Sequence, residues 1–170
     1  LYASFQASLA AGASTTLGVL WKATGGSHIV RWVADATGLI AESNEANNEM
    51  SLAFSVPMLA LSPAVGPVGT EVTASGVGFA SNSTVTIGFN PGEVVATATT
   101  NVNGSFKVTF EVPPGISGAH VVNATDASGK SAVAAFNVVP SIIISPKLGY
   151  PLGTNVTIYG SGFDGNTAIN

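Results

Sequence analysis

One stretch of this chain occurs twice. The run Leu61-Ser62-Pro63-Ala64-Val65-Gly66-Pro67-Val68-Gly69-Thr70, continuing to Gly76-Val77-Gly78-Phe79, returns as Ile144-Ser145-Pro146-Lys147-Leu148-Gly149-Tyr150-Pro151-Leu152-Gly153-Thr154, continuing to Gly160-Ser161-Gly162-Phe163. The offset is 83 residues at the first proline and 84 at the final phenylalanine, with Tyr150 as a one-residue insertion. A fixed period of this size identifies the architectural unit before any single residue is interpreted, since each unit must bury its own apolar face. The unit ends are marked as well, because Phe54-Ser55-Val56-Pro57 and Phe136-Asn137-Val138-Val139-Pro140 each close a strand-like run with a proline. The organisation expected is the tail of a different domain over residues 1–57, one complete module over 58–140, and the start of a second copy over 141–170. On this reading the sequence is cut at both ends, and a piece of sheet as short as the last one cannot cover its apolar face alone.

Within the complete module the apolar residues recur every second position. Val85, Ile87 and Phe89 alternate with Thr84, Thr86 and Gly88, and Phe106, Val108, Phe110 and Val112 alternate with Lys107, Thr109 and Glu111. This period belongs to half-buried strands, and no stretch sustains the helical period. Gly66-Pro67, Asn90-Pro91-Gly92, Asn103-Gly104 and Pro113-Pro114-Gly115 punctuate the runs as turns, and Asn-Gly between two alternating runs predicts a hairpin. Short strands and frequent turns over some 83 residues predict an all-β fold of tandem immunoglobulin-like β-sandwich domains. The first segment reads alike: Thr15, Leu17, Val19 and Trp21 form one predicted strand, and His28, Val30, Trp32 and Ala34 one face of another. Gly26-Ser27-His28 and Gly118-Ala119-His120 each open a run that reaches an Asp-Ala-x-Gly turn, so both domains are expected to close with the same late hairpin.

The polar surface of such a chain is unusual. Charged residues make up 8% of it, where an average soluble domain has about 25%, and 18 Ser, 16 Thr and 12 Asn take over the polar role. Five cations against nine acids, a net charge of -4, cannot supply the run of phosphate contacts on which nucleic-acid binding rests. No apolar run approaches the roughly 20 residues of a membrane span, and no N-terminal leader pattern is present. The absence of cysteine removes disulfides, thiolate metal sites and Cys nucleophiles. With so few carboxylates to keep ionised, little stability is expected to be lost in acid, which suits an exposed, acidic and hot habitat of archaeal kind.

At this point the motifs carry a family resemblance. The Ser-Pro-x-x-Gly-Pro-x-Gly-Thr-x-Val-Thr-x-x-Gly-x-Gly-Phe run, with Asn103-Gly104-Ser105-Phe106 and Val112-Pro113-Pro114, resembles IPT/TIG-type immunoglobulin-like domains, and Asp35 to Asn48 resembles the C-terminal half of a CARDB-type domain. The resemblance implies an extracellular, cell-surface location and says little about activity, because such sandwiches host many unrelated functions. Four Asn-x-Ser/Thr sequons, at Asn82, Asn103, Asn123 and Asn155, fall in expected loops or on outward faces and are candidate sites for N-linked glycans.

The acidic residues gather in one place. Asp35, Glu42, Glu45 and Glu49 lie within 15 residues, interleaved with Asn44, Asn47 and Asn48. Asp35, Glu42, Asn44 and Glu45 form an all-oxygen set that suits Ca2+, and a turn in which these side chains bond their own backbone is the alternative. No other cofactor is expected. His28 and His120 are expected to be half-buried at a sandwich end, and Trp21 and Trp32 to be core. The glycine-rich runs lack the lysine and helix of a phosphate loop, and no nucleophile elbow is present, so no catalytic residue is assigned. The expected function is a structural or adhesive repeat segment of a surface layer, filament or adhesin. Its expected partners are neighbouring copies or other cell-surface proteins. The alternative is a set of non-catalytic modules of a large secreted protease or glycosidase. Completion of the cut sandwiches by a strand from a neighbouring subunit stays open.

Overall fold

The computed structural model describes residues 12–90, 92–145 and 155–164, and for Glu45 the backbone alone. Twelve strands and one 3-10 turn make up its regular structure. The repeated run of the second copy after Ser145, residues 146–154, and the middle residue of Asn90-Pro91-Gly92 lie outside the described residues.

The complete module is a two-layer sandwich. Strands β3 (Met58–Ser62), β5 (Glu71–Val77) and β8 (Phe106–Glu111) form one sheet; β4 (Val65–Gly66), β10 (Ser131–Val138), β9 (Gly118–Asp126), β6 (Thr84–Phe89) and β7 (Glu93–Thr99) form the other, in that order. The first strand run changes sheets at Pro63. Proline cannot donate to a ladder, so β3 stops pairing with β5 there and the chain re-enters as β4, parallel to β10. The alternation read from the sequence is what loads the gap between the layers: Val85, Ile87 and Phe89 from one sheet meet Val72, Phe106 and Phe110 from the other, with Val122, Ala124 and Phe136 beside them, all buried. Phe89 sits at the centre, 6.4 Å from the Phe110 ring and 6.1 Å from Phe136. Burying each such aromatic contributes about 2–3 kcal/mol, which a two-stranded ribbon cannot obtain.

The outward side chains of the five-stranded sheet carry no charge. Ser131, Thr125, Thr86 and Thr97 stand opposite one another across four strands, and Val133, Asn123 and Gly88 form the next rung.

Before this module, β1 (Gly26–Val33) pairs antiparallel with β2 (Glu49–Val56), and after it β11 (Ser141–Ser145) pairs with β12 (Thr157–Ser161). The shared late hairpin is present in detail. Gly26 faces Val56 and His28 faces Phe54 in one hairpin, as Gly118 faces Val138 and His120 faces Phe136 in the other. A single residue, Pro57, joins β2 to β3, and two, Val139 and Pro140, join β10 to β11. Each joint passes beside a glycine. Gly78 has φ +82° and lies so close to the Val56 carbonyl that a Cβ would overlap it; its counterpart Gly162 has φ +72° and a Cβ there would stand 3.0 Å from the Val139 carbonyl. Only glycine combines that conformation with that approach, so the Gly-x-Gly-Phe motif of each copy seats the X-Pro link that enters it.

Three expectations are not met among the described residues. Residues 13–24 join no ladder among the described residues, so the alternating Thr15–Trp21 run is not a strand there. Among the described residues Trp21 and Trp32 are 41% and 49% exposed rather than core: Trp21 rests edge-on against His28 and Phe54 of the β1–β2 ribbon, and Trp32 projects from β1. Asn103-Gly104 does not close a hairpin: β7 pairs with β6 while β8 pairs with β5, so the turn carries the chain from one sheet to the other. The inward residues of both runs must face the same gap from opposite sides, which a hairpin would prevent.

Candidate functional site

The acidic loop between β1 and β2 is organised around its own backbone. Asp35 adopts φ 38°, and its two carboxylate oxygens accept from the Leu39 N–H at 3.0 Å and the Ile40 N–H at 2.7 Å. Asn44 caps the 3-10 turn Glu45–Asn47, its Oδ1 accepting from the Ala46 N–H at 3.0 Å. Glu42 is exposed, and the Glu45 side chain lies outside the described residues. Glu49 forms a bidentate pair with Arg31 across the ladder, and that guanidinium holds its carboxyl below the usual range. Among the described residues no group of three or more His, Asp or Glu side chains converges as a metal would require. With Asp35 and Glu49 already engaged, titration with millimolar CaCl2 is expected to leave the melting temperature unchanged; a heat of binding with a thermal shift would assign the loop to the ion.

The four sequons sit in different surroundings. Asn82, with φ 51°, and Asn103 are exposed on loops, and Asn155 is exposed just before β12. Asn123 is half-buried in the middle of β9, its side-chain oxygen lying over Gly88 of the neighbouring strand.

The histidines hold the loop that enters each late hairpin. His28 Nε2 lies 2.6 Å from the Thr24 carbonyl and His120 Nε2 2.9 Å from the Ile116 carbonyl, four residues upstream in both cases. A carbonyl only accepts, so each ring donates from Nε2. The His120 ring also stacks on Phe89 at 5.2 Å, and its Nδ1 meets the Asn90 side-chain amide at 2.9 Å. Both histidines are half-buried as expected; His120 lies at an end of the sandwich, and His28 on the two-stranded β1–β2 ribbon.

Sequence reading missed the acid that matters most to the module. Asp126 is buried, and its carboxylate accepts from the N–H groups of Ala80 at 2.7 Å, Ser128 at 2.9 Å and Lys130 at 3.0 Å and from the Ser128 hydroxyl at 2.7 Å. Burial pushes this carboxyl up, but the donors outweigh it and hold it below the usual range. Thr100, also buried, grips the same loop: its hydroxyl donates to the Ala80 carbonyl at 2.6 Å and accepts from the Ser83 N–H at 2.8 Å. The Asp-Ala-x-Gly turn announced the local bonds of Asp126, whereas the bond to Ala80 spans 46 residues and has no local signal.

Taken together, the layers, the switched first strand and the duplicated late hairpin define a chain of tandem immunoglobulin-like modules. Residues 4–52 match the CARDB family model, and residues 58–137 match that of the IPT/TIG domain. CARDB and IPT/TIG domains are immunoglobulin-like, non-catalytic modules common in extracellular proteins, and their presence suggests an immunoglobulin-like structural or adhesion module. No curated protein matches the chain. Similar solved structures include macromomycin, at 18% identity and a TM-score of 0.41, covering 49% of this chain and 100% of that one. Another is the CARDB domain of a Pyrococcus furiosus protein in complex with di-metal ions, at 20% identity and a TM-score of 0.37, covering 49% of this chain and 86% of that one.

Proposed function

We propose that this chain is a spacer segment of an extracellular surface protein, part of a layer, filament or adhesin, in which modules over 1–57, 58–140 and 141–170 are held at a defined spacing and carry N-linked glycans. The observation that carries this reading is the repeated joint. Two successive X-Pro links of one and two residues each pass beside a positive-φ glycine of the following module, at Gly78 and Gly162. A link that short fixes the spacing of successive modules, unlike a flexible Gly/Ser tether. The uncharged outer face of the five-stranded sheet supports lateral packing against neighbouring copies, since two such faces meet without desolvating or opposing charges. Asn82, Asn103 and Asn155 are exposed enough to display sugars, with Asn123 as the least accessible of the four sequons. The test is the mass of the segment recovered from the native cell surface. An excess over 16.9 kDa that maps to the loop sequons is expected, and the bare mass would remove glycan display from the proposal.

A further inference from the structure

Five cations serve the whole chain, and one of them reaches out of its own module. Lys130 follows the turn between β9 and β10, and its backbone N–H is held by the buried Asp126 carboxylate at 3.0 Å. Its Nζ donates to the Ser55 hydroxyl of β2 at 2.7 Å and approaches the Gly78 carbonyl at 3.4 Å. Asp126 thus ties down both sides of one corner: the Ala80 loop through its other oxygen, and the base of Lys130. The corner faces the preceding hairpin across a cleft of about 490 Å³, whose walls include Ser27 and Ser55 on one side and Ala80, Ser81 and Lys130 on the other.

We propose that this corner, formed by the Gly78 seat and the Lys130 side chain, is a docking surface for the last strand of the preceding immunoglobulin-like module, with Lys130 as the latch that sets the angle between the two. The partner it fits is a strand with a small hydroxyl residue two positions before the linker proline, as Ser55 stands before Pro57. The two features divide the work. The Gly78 seat restrains the path of the link, while a single covalent joint still permits rotation about its own axis; Lys130 adds a second attachment point off that axis and removes the rotation. A lysine suits this because its ammonium is a compact donor on a long stem that meets a hydroxyl and a carbonyl at once. The inference goes beyond the surface-protein reading and holds whether or not the sequons are occupied.

Residual dipolar couplings of the full, unglycosylated chain test it. In the native chain the amides of β1–β2 and of the complete module are expected to fit one alignment tensor. Lys130→Met and Ser55→Val are each expected to require two tensors, and the double variant to behave like either single one. Lys130→Arg, which keeps a cationic donor, is expected to restore the single tensor. The melting temperature of the complete module is expected to stay unchanged in all of these, because the Lys130 side chain lies outside its core. A single tensor persisting in both Lys130→Met and Ser55→Val would overturn the latch, as would a fall in the module's own stability that tracked the loss of alignment.

Discussion

Asp126→Ala is expected to cost the complete module about 3 kcal/mol, seen as a fall of roughly 15 °C in its melting temperature. The carboxylate is 5% exposed and accepts bonds from three backbone N–H groups and one hydroxyl. Alanine leaves several of those donors without a partner in a place water reaches poorly, and each such donor costs about 1 kcal/mol or more. The consequence is not local, since the Ala80 loop and the Lys130 turn lose their common anchor together.

The same residue sets the pH response. The folded Asp126 carboxyl titrates below its ordinary value, so the stability it adds is fully present above the ordinary Asp range and is lost as pH falls through the lowered folded value. Glu49 shifts in the same direction but is exposed, so salt and water screen its share. The native chain is therefore expected to melt at a constant temperature from pH 7 to about pH 5 and to weaken only below about pH 4. Asp126→Asn is expected to start lower and to show a shallower decline. Thermal scans at successive pH values check both, and a native chain that lost most of its stability above pH 5 would contradict them. The sparse charge of the sequence thus becomes a sharper expectation: among the described residues Asp126 is the buried carboxylate whose lowered titration ties stability to pH.

Gly104→Ala is the second large effect, expected to cost about 3 kcal/mol in chemical denaturation. Gly104 has φ +69°, which costs a non-glycine residue about 1–2 kcal/mol. An added Cβ would also overlap the Phe79 carbonyl, while the Gly104 carbonyl accepts the Phe79 N–H at 3.1 Å. Backbone meets backbone here, so relief requires moving the buried Phe79 and its ring contact with Phe106 at 5.4 Å. Gly129→Ala is the control. It shares a positive φ, +86°, but faces open space, and is expected to cost only about 1 kcal/mol. Equal costs at the two positions would show that conformation alone, and not the inter-sheet contact, makes Gly104 necessary.

The contrast at Gly104 marks where local reading stopped. The alternation of Phe106, Val108 and Phe110 identified a strand and its buried side, because side-chain direction in a strand is set by a two-residue period. Asn103-Gly104 identified a turn, because Asn101 and Gly104 close it with bonds among neighbours. Neither could say which strand β8 would pair with. That choice belongs to the two layers, which require β7 and β8 on opposite sides of one core. The same limit applies to the acids: within the cluster that stood out by spacing, Asp35 bonds its own loop and Glu49 pairs with Arg31 across the ladder, while a lone Asp126 drew in a partner 46 residues away.

By itself, then, the sequence determined the strand content, the faces of the strands, and the duplicated hairpin with its histidine, all of which follow from periodicity and turn chemistry within a few residues. The tertiary structure alone decided the pairing of β8 and the convergence of Asp126, Ala80 and Lys130 beside Ser55. Those depend on which surfaces meet when two layers close, and burial and long-range hydrogen bonding have no counterpart in local sequence.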